Sequence, residues 1–120
     1  MDEISLTLPA DDAFRRVAHL VLGGLAVRLD LTYESLEDIE LALDTLLERR
    51  DDDGDVTVRL QVGEGELRTL VGPFGKNVLN ELEHDVGEGL DLRRILEAVC
   101  DGVEVSDPWI ELTKRINGGR

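Results

Sequence analysis

The sequence predicts an α+β domain of two layers, in which a mixed, mostly antiparallel sheet is covered on one face by three helices. Three observations lead to this fold class. The predicted elements follow the order β-α-α-β-β-α-β-β, two long segments carry apolar residues at helical spacing, and the predicted strands alternate apolar and polar residues. The chain has no repeat and no linker, so we expect a single domain over 1–120 with a frayed tail at 117–120.

The first strand and the first helix follow directly from the sequence pattern. Residues 4–8 alternate apolar and polar and are followed by Pro9, which predicts a short strand. A helix is predicted over about 12–29 from an apolar stripe of Phe14, Val17, Ala18, Val21, Leu22 and Leu25. Gly23 and Gly24 lie inside this helix and cost about 1 kcal/mol each relative to alanine. We therefore expect the next helix to approach the glycine pair closely, so that Gly24→Leu would destabilise the domain.

The second helix, over 31–49, is the clearest element of the chain. Thr32 is a suitable N-cap, because its hydroxyl can accept from free N–H groups of the first turn. Leu31 and Leu36 have the spacing of a hydrophobic staple. The apolar stripe consists of Leu36, Ile39, Leu43, Leu46 and Leu47, and most acidic residues lie off it.

The second half of the chain is predicted to supply four strands and one further helix. Alternation at 56–62 and a return segment at 66–71 predict a hairpin. Residues 76–88 are ambiguous between a loop and a short helix, whereas 90–100 predict the third helix. Two last strands are predicted at 103–105 and 109–116.

Composition excludes several classes of function. The net charge of −14 would repel nucleic acid and anionic lipid, so we expect neither nucleic-acid nor membrane binding; it would attract a basic protein, or serve solubility alone. The single cysteine, Cys100, forms no internal disulfide and indicates a reducing, cytoplasmic setting. The acidic segment 50–55 fails the calcium-loop template, so no metal site is expected. No catalytic residue is expected either, since neither His19 nor Cys100 has a second catalytic group predicted near it.

Four segments together resemble the anti-sigma factor and serine-protein kinase branch of the GHKL superfamily of ATPases and kinases. These segments are Ile4–Pro9, Leu20–Arg28, Leu31–Asp44 and Leu92–Val105. The resemblance covers nearly the whole chain and implies a histidine kinase-like ATPase fold in a shortened form.

The resemblance also implies a nucleotide site, and this chain departs from its motifs. In the family, the helix matching 31–49 carries Glu-x-x-x-Asn, and this register places Thr45 at the glutamate and Arg49 at the asparagine. Threonine is no general base near neutral pH, and arginine cannot ligate magnesium because it is an obligate donor. A register shifted by one residue would place Asp44 and Glu48 there instead, and this alternative stays open.

The other two nucleotide motifs are also incomplete. The family's Asp-x-Gly-x-Gly aligns with 72–76, which contains no aspartate to bind adenine. The nucleotide lid that follows in the family is rich in glycine, and the corresponding segment of this chain contains few glycines. The vestigial nucleotide-site positions are therefore Asp44, Thr45, Glu48, Arg49, Gly72, Gly75, Gly87 and Gly89. We expect ATP binding to be lost and no cofactor to be needed; ATP with magnesium is the alternative.

The resemblance implies a regulatory module like a bacterial anti-sigma factor, which sequesters a sigma factor or binds a STAS-type anti-anti-sigma protein in a partner-switching system. One alternative is an active serine protein kinase that phosphorylates an anti-anti-sigma factor. Another is a structural or dimerisation domain, and a homodimer stays open. The candidate partner-binding residues are acidic: Glu37, Glu40, Asp44, Glu48, Asp51, Asp52 and Asp53.

Overall fold

The fold is α+β, as predicted. A computed structural model describes residues 2–9, 11–50, 54–63, 65–83 and 92–116. In chain order, its elements are β1 (Asp2–Leu8), α1 (Asp12–Leu29), α2 (Tyr33–Arg49), β2 (Val56–Gly63), β3 (Glu66–Gly72), α3 (Lys76–Glu83), α4 (Leu92–Val99), β4 (Gly102–Ser106) and β5 (Trp109–Arg115). The strands form one sheet in the order β1-β2-β3-β5-β4, and every neighbouring pair is antiparallel.

One face of the sheet forms the core against the helices. The inward residues of the central strands are cross-strand neighbours, such as Val58 beside Val71, and Leu60 beside Thr69. Strict alternation places Arg59 and the other residues between them on the opposite face. Helix stripes supply the rest of the core, chiefly Leu22, Leu43, Leu46, Leu92 and Leu96.

The helices lie across the sheet in the order α1, α2, α4. α2 contacts both of the other two, and α4 also contacts β4, the edge strand at the far side. At the other side, a cavity under the C-terminal end of α1 is lined by Leu25 and Leu29 of α1 together with Ile4 of β1 and Val62 of β2. α1 therefore covers the edge of the sheet formed by β1.

The second helix agrees with its prediction in its N-cap, in its buried apolar residues and in the residue at which it ends. The Thr32 hydroxyl accepts from the backbone N–H of Ser35 at 3.0 Å, which satisfies a free donor of the first turn. Ile39, Leu43 and Leu46 are buried, and the helix ends at Arg49.

Three predictions on the fold need correction. The described residues contain four helices rather than three, because the ambiguous segment contains α3, with Val78, Leu79 and Leu82 buried. Val17, placed in the core stripe of α1, is 36% exposed.

The third correction concerns the glycine pair, which is not approached closely. Outside the local helix, no described heavy atom lies within 4 Å of the position that a Cβ would take at Gly23 or Gly24. The predicted clash of Gly24→Leu with α2 is therefore wrong. The predicted tail at 117–120 lies outside the described residues.

Candidate functional site

The C-terminal end of α2 carries the two positions where the family's Glu-x-x-x-Asn motif would lie. The Thr45 hydroxyl donates to the carbonyl oxygen of Leu41 at 2.7 Å, so it is bonded to its own helix. The Arg49 guanidinium forms an ion pair with the carboxylate of Glu81 on α3. Their side chains are 40% and 31% exposed, so the pair adds little to stability. The ion pair mainly fixes the position of the Arg49 guanidinium, and it thereby holds a positive charge between α2 and α3.

The alternative register, with Asp44 and Glu48, faces a different element. Asp44 Oδ1 lies 3.1 Å from His19 Nε2, and Glu48 Oε2 lies 3.9 Å from Arg15 Nη1. Both partners belong to α1. The two registers therefore differ in the helix they contact: Asp44 and Glu48 contact α1, whereas Arg49 contacts α3.

Arg50 fixes the loops beside this end of α2. Its Nε donates to the carbonyl oxygen of Pro73 at 3.0 Å, its Nη1 to that of Gly54 at 2.9 Å, and its Nη2 to that of Asp55 at 2.8 Å. The guanidinium fork thus joins the start of β2 to the loop after β3. The sequence did not indicate this role of Arg50, because the Pro73 carbonyl lies 23 residues away.

The first glycine of the segment matching the adenine motif has a packing role. Gly72 is buried, and a Cβ there would lie 2.8 Å from Trp109 Cε3 and 3.0 Å from the carbonyl oxygen of Pro108. The Trp109 ring also lies under Arg59, whose Cζ is 5.0 Å from the ring centroid. Because the Trp109 indole packs directly against the backbone at Gly72, position 72 has no room for a side chain unless the indole shifts.

Gly75 is exposed and precedes α3, where its carbonyl oxygen accepts from the N–H of Leu79 at 3.2 Å. This contact belongs to the first turn of the helix. Gly87 and Gly89, the lid positions, lie outside the described residues.

The acidic candidate surface on α2 is partly neutralised by α1. Glu40 Oε2 lies 3.7 Å from His19 Nδ1, and Arg15 lies near both Asp44 and Glu48. Among the predicted acidic residues on α2, Glu37 is exposed and free of such a contact within the described structure. Asp51, Asp52 and Asp53 lie outside the described residues. Arg15 and His19 are one helical turn apart in the sequence. This spacing places both on one side of α1, and it was the signal that they could contact the acidic side chains of α2 together.

The remaining reactive side chain is Cys100. It is buried, and burial raises the pKa of its thiol to about 11, so it is protonated at neutral pH. Among the described residues, no group of three or more His, Cys, Asp or Glu side chains could hold a metal ion. None of the described helices is both long and apolar enough to cross a membrane.

Comparisons with known proteins agree with the resemblance seen in the sequence. No protein-family model matches this sequence. The serine-protein kinase RsbW of Listeria monocytogenes is 27% identical over 97% of this chain and 88% of its own length. The serine-protein kinase RsbW of Bacillus subtilis strain 168 is 27% identical over 99% and 89% of the two chains.

A solved structure shares the fold. It contains the RsbU and RsbW domains of Rv1364c from Mycobacterium tuberculosis, with a TM-score of 0.63 and 17% identity over 97% of this chain. This chain spans 32% of that longer protein, and the likeness bears on fold alone. This chain is thus similar to the serine-protein kinases RsbW over nearly its whole length, in agreement with the resemblance to the anti-sigma factor and serine-protein kinase branch of the GHKL superfamily seen in its sequence.

Proposed function

We propose that the chain is a regulatory module that sequesters a protein partner and no longer binds ATP. The partner is a sigma factor or a STAS-type anti-anti-sigma protein, as in a partner-switching system. The observation that carries the proposal is the ion pair between Arg49 and Glu81. It holds a cation at the position where the family has a magnesium ligand, and like charge opposes a divalent metal there.

Two further observations support loss of the nucleotide. The Thr45 hydroxyl is bonded to its own helix, and no aspartate occurs at 72–76 to accept from an adenine amino group. Arg50 also donates three hydrogen bonds to backbone carbonyls of the neighbouring loops. The side chains of Thr45, Arg49 and Arg50 supply no general base and no carboxylate for magnesium, so sequestration accounts for these residues better than phosphoryl transfer.

An active serine-protein kinase is the second candidate, because the relatives that cover nearly the whole chain carry that name. It would require the lid at 84–91, outside the described residues, to supply the phosphate contacts. Incubation with labelled ATP and a STAS-type protein distinguishes the two, since the kinase would transfer label to a serine of that protein.

Binding kinetics with a purified sigma factor test the sequestration itself. We expect binding without nucleotide, unchanged when magnesium and ATP are added. Association should slow as salt rises past the point where the Debye length is about 8 Å, because screening removes steering by the charge of −14. Binding that requires ATP, or an association rate indifferent to salt, would contradict the proposal.

A further inference from the structure

The cavity between the last turn of α1 and the strands β1 and β2 has a volume of about 370 Å³. Its walls are apolar, since Leu25 is buried there and Ile4, Leu29 and Val62 are half-buried beside it. Ligand pockets in proteins begin at about 300 Å³. The cavity is therefore large enough to hold a small molecule.

Both walls of the cavity are regular backbone. α1 ends in a closed turn, in which the N–H of Leu31 donates to the carbonyl oxygen of Ala26 at 2.9 Å, and this turn holds Leu29 in place. On the opposite wall, β1 and β2 form a continuous antiparallel pair in which Ile4 lies beside Leu60. The cavity is therefore formed before any ligand enters, as most small-molecule sites are.

The apolar walls favour an apolar occupant over water. An ordered water molecule needs about two to four polar partners, and the four apolar side chains offer none. Replacing poorly bonded water by an apolar group is favourable. If each heavy atom of a ligand takes about 30 Å³, as a water molecule does in the liquid, 370 Å³ holds roughly ten to twelve heavy atoms.

Two charged residues mark the rim of the cavity. Glu3 and Arg28 line it, and the side chains of both are exposed. Glu3 already accepts a hydrogen bond, from Gln61 Nε2 to its Oε1 at 2.9 Å. Arg28 forms no hydrogen bond or ion pair with any residue in the described part of the chain. Its guanidinium can therefore donate to an oxygen atom of a ligand.

The charges near the rim favour a neutral ligand. A carboxylate would meet the net charge of −14 and the negative end of the α1 dipole. Its ion pair with an exposed arginine would offset little of this repulsion. An ammonium group would be repelled by Arg28. A neutral hydroxyl or carbonyl oxygen avoids both repulsions and still accepts from Arg28.

We propose that this cavity binds a neutral aliphatic molecule with one oxygen at its end, such as a medium-chain alcohol, aldehyde or ketone. The aliphatic chain lies between the apolar walls, and the oxygen accepts from Arg28 at the rim. This binding does not depend on the proposed sequestration of a protein partner.

Methyl NMR of the full chain, titrated with 1-octanol, tests the site. Saturable shifts are expected for the methyl groups of the four apolar residues of the cavity. None is expected for Leu96 of α4, which is buried at the other side of the helix layer. From 1-hexanol to 1-octanol, binding should tighten about fourfold for each added CH₂, because each methylene is transferred from water into the cavity.

Two comparisons test the group at the rim. Octanoate and octylammonium should bind several-fold more weakly than 1-octanol, because each carries a charge that the rim opposes. Arg28→Leu should weaken the binding of 1-octanol by about three- to tenfold through loss of one hydrogen bond. Arg16→Leu is the matched control, since Arg16 is an exposed arginine of α1 that does not line the cavity, and it should leave the affinity unchanged.

Filling the cavity tests its location. Val62→Phe should weaken the binding of 1-octanol by tenfold or more, whereas Val105→Phe, at a half-buried valine of the edge strand β4, should not change it. Circular dichroism checks that both variants fold, and Leu29→Phe narrows the same cavity from the helix side if Val62→Phe does not fold. Shifts that do not saturate or that spread through the core, an affinity independent of chain length, octanoate binding as tightly as 1-octanol, or unchanged binding in the filled variant would overturn the proposal.

Discussion

Gly72→Ala should destabilise the domain, because the new methyl group has no room. Its Cβ would lie 2.8 Å from Trp109 Cε3 and 3.0 Å from the Pro108 carbonyl oxygen, and the indole is already held against Arg59. Overpacking of this kind costs about 1–3 kcal/mol. Urea denaturation followed by circular dichroism measures the loss, and the fluorescence of Trp109, the single tryptophan, reports whether the indole has moved.

Gly23→Ala is the matched control. Gly23 lies in the interior of α1, and outside the local helix no described heavy atom lies within 4 Å of its Cβ position, so the same methyl group should stabilise the domain by about 1 kcal/mol through helix propensity alone. Opposite signs for the two substitutions are the expected result. A Gly72→Ala variant as stable as the wild type would refute the packing role assigned to Gly72.

Three further predictions concern Gly24, the acidic surface of α2 and Cys100. Gly24→Leu should stabilise the domain by several tenths of a kcal/mol in urea denaturation, since leucine is the better helix former and has room; destabilisation would contradict the open space at Gly24. Charge reversal at Glu37 and Glu40 together should slow association with a sigma factor and leave dissociation nearly unchanged, with Glu104→Lys on the far sheet face as control; an effect on dissociation alone would place the interface elsewhere. Burial holds the pKa of the Cys100 thiol at about 11, above its unfolded value, so its stabilising contribution is complete below pH 9 and is lost as pH rises toward 11. Cys100→Ala should show a shallower loss of stability over that range, and an identical slope would contradict the burial.

α2 could be predicted from the sequence because its signals are local and agree. The cap at Thr32, the staple at Leu31 and the stripe of the helix lie within a few turns of each other, so each restricts the others. The hairpin of β2 and β3 was predictable for the same reason, since alternation on both sides of a short turn fixes the register.

The errors arose where tertiary contacts decide the outcome. α1 carries apolar residues on two faces. The periodicity of its sequence therefore could not show which of its glycines and valines face the core. α3 has eight residues, too few to be stable alone, and it forms because Val78 and Leu82 are buried against the rest of the domain. The pairing of Arg49 with Glu81 spans 32 residues, and no local pattern encodes a contact at that distance.

Isothermal titration with magnesium and ATP tests the central claim most directly. We predict no heat of binding for the purified chain and no rise in melting temperature, because Arg49 is held by Glu81 where a magnesium ligand would be needed. A ligand present at 100 times its dissociation constant would stabilise the fold by about 2.7 kcal/mol, so binding would also appear in thermal denaturation. Thr45→Glu/Arg49→Asn, titrated in parallel, shows whether these two positions alone prevent binding. A dissociation constant in the micromolar range for the wild type would contradict the account and favour an active kinase.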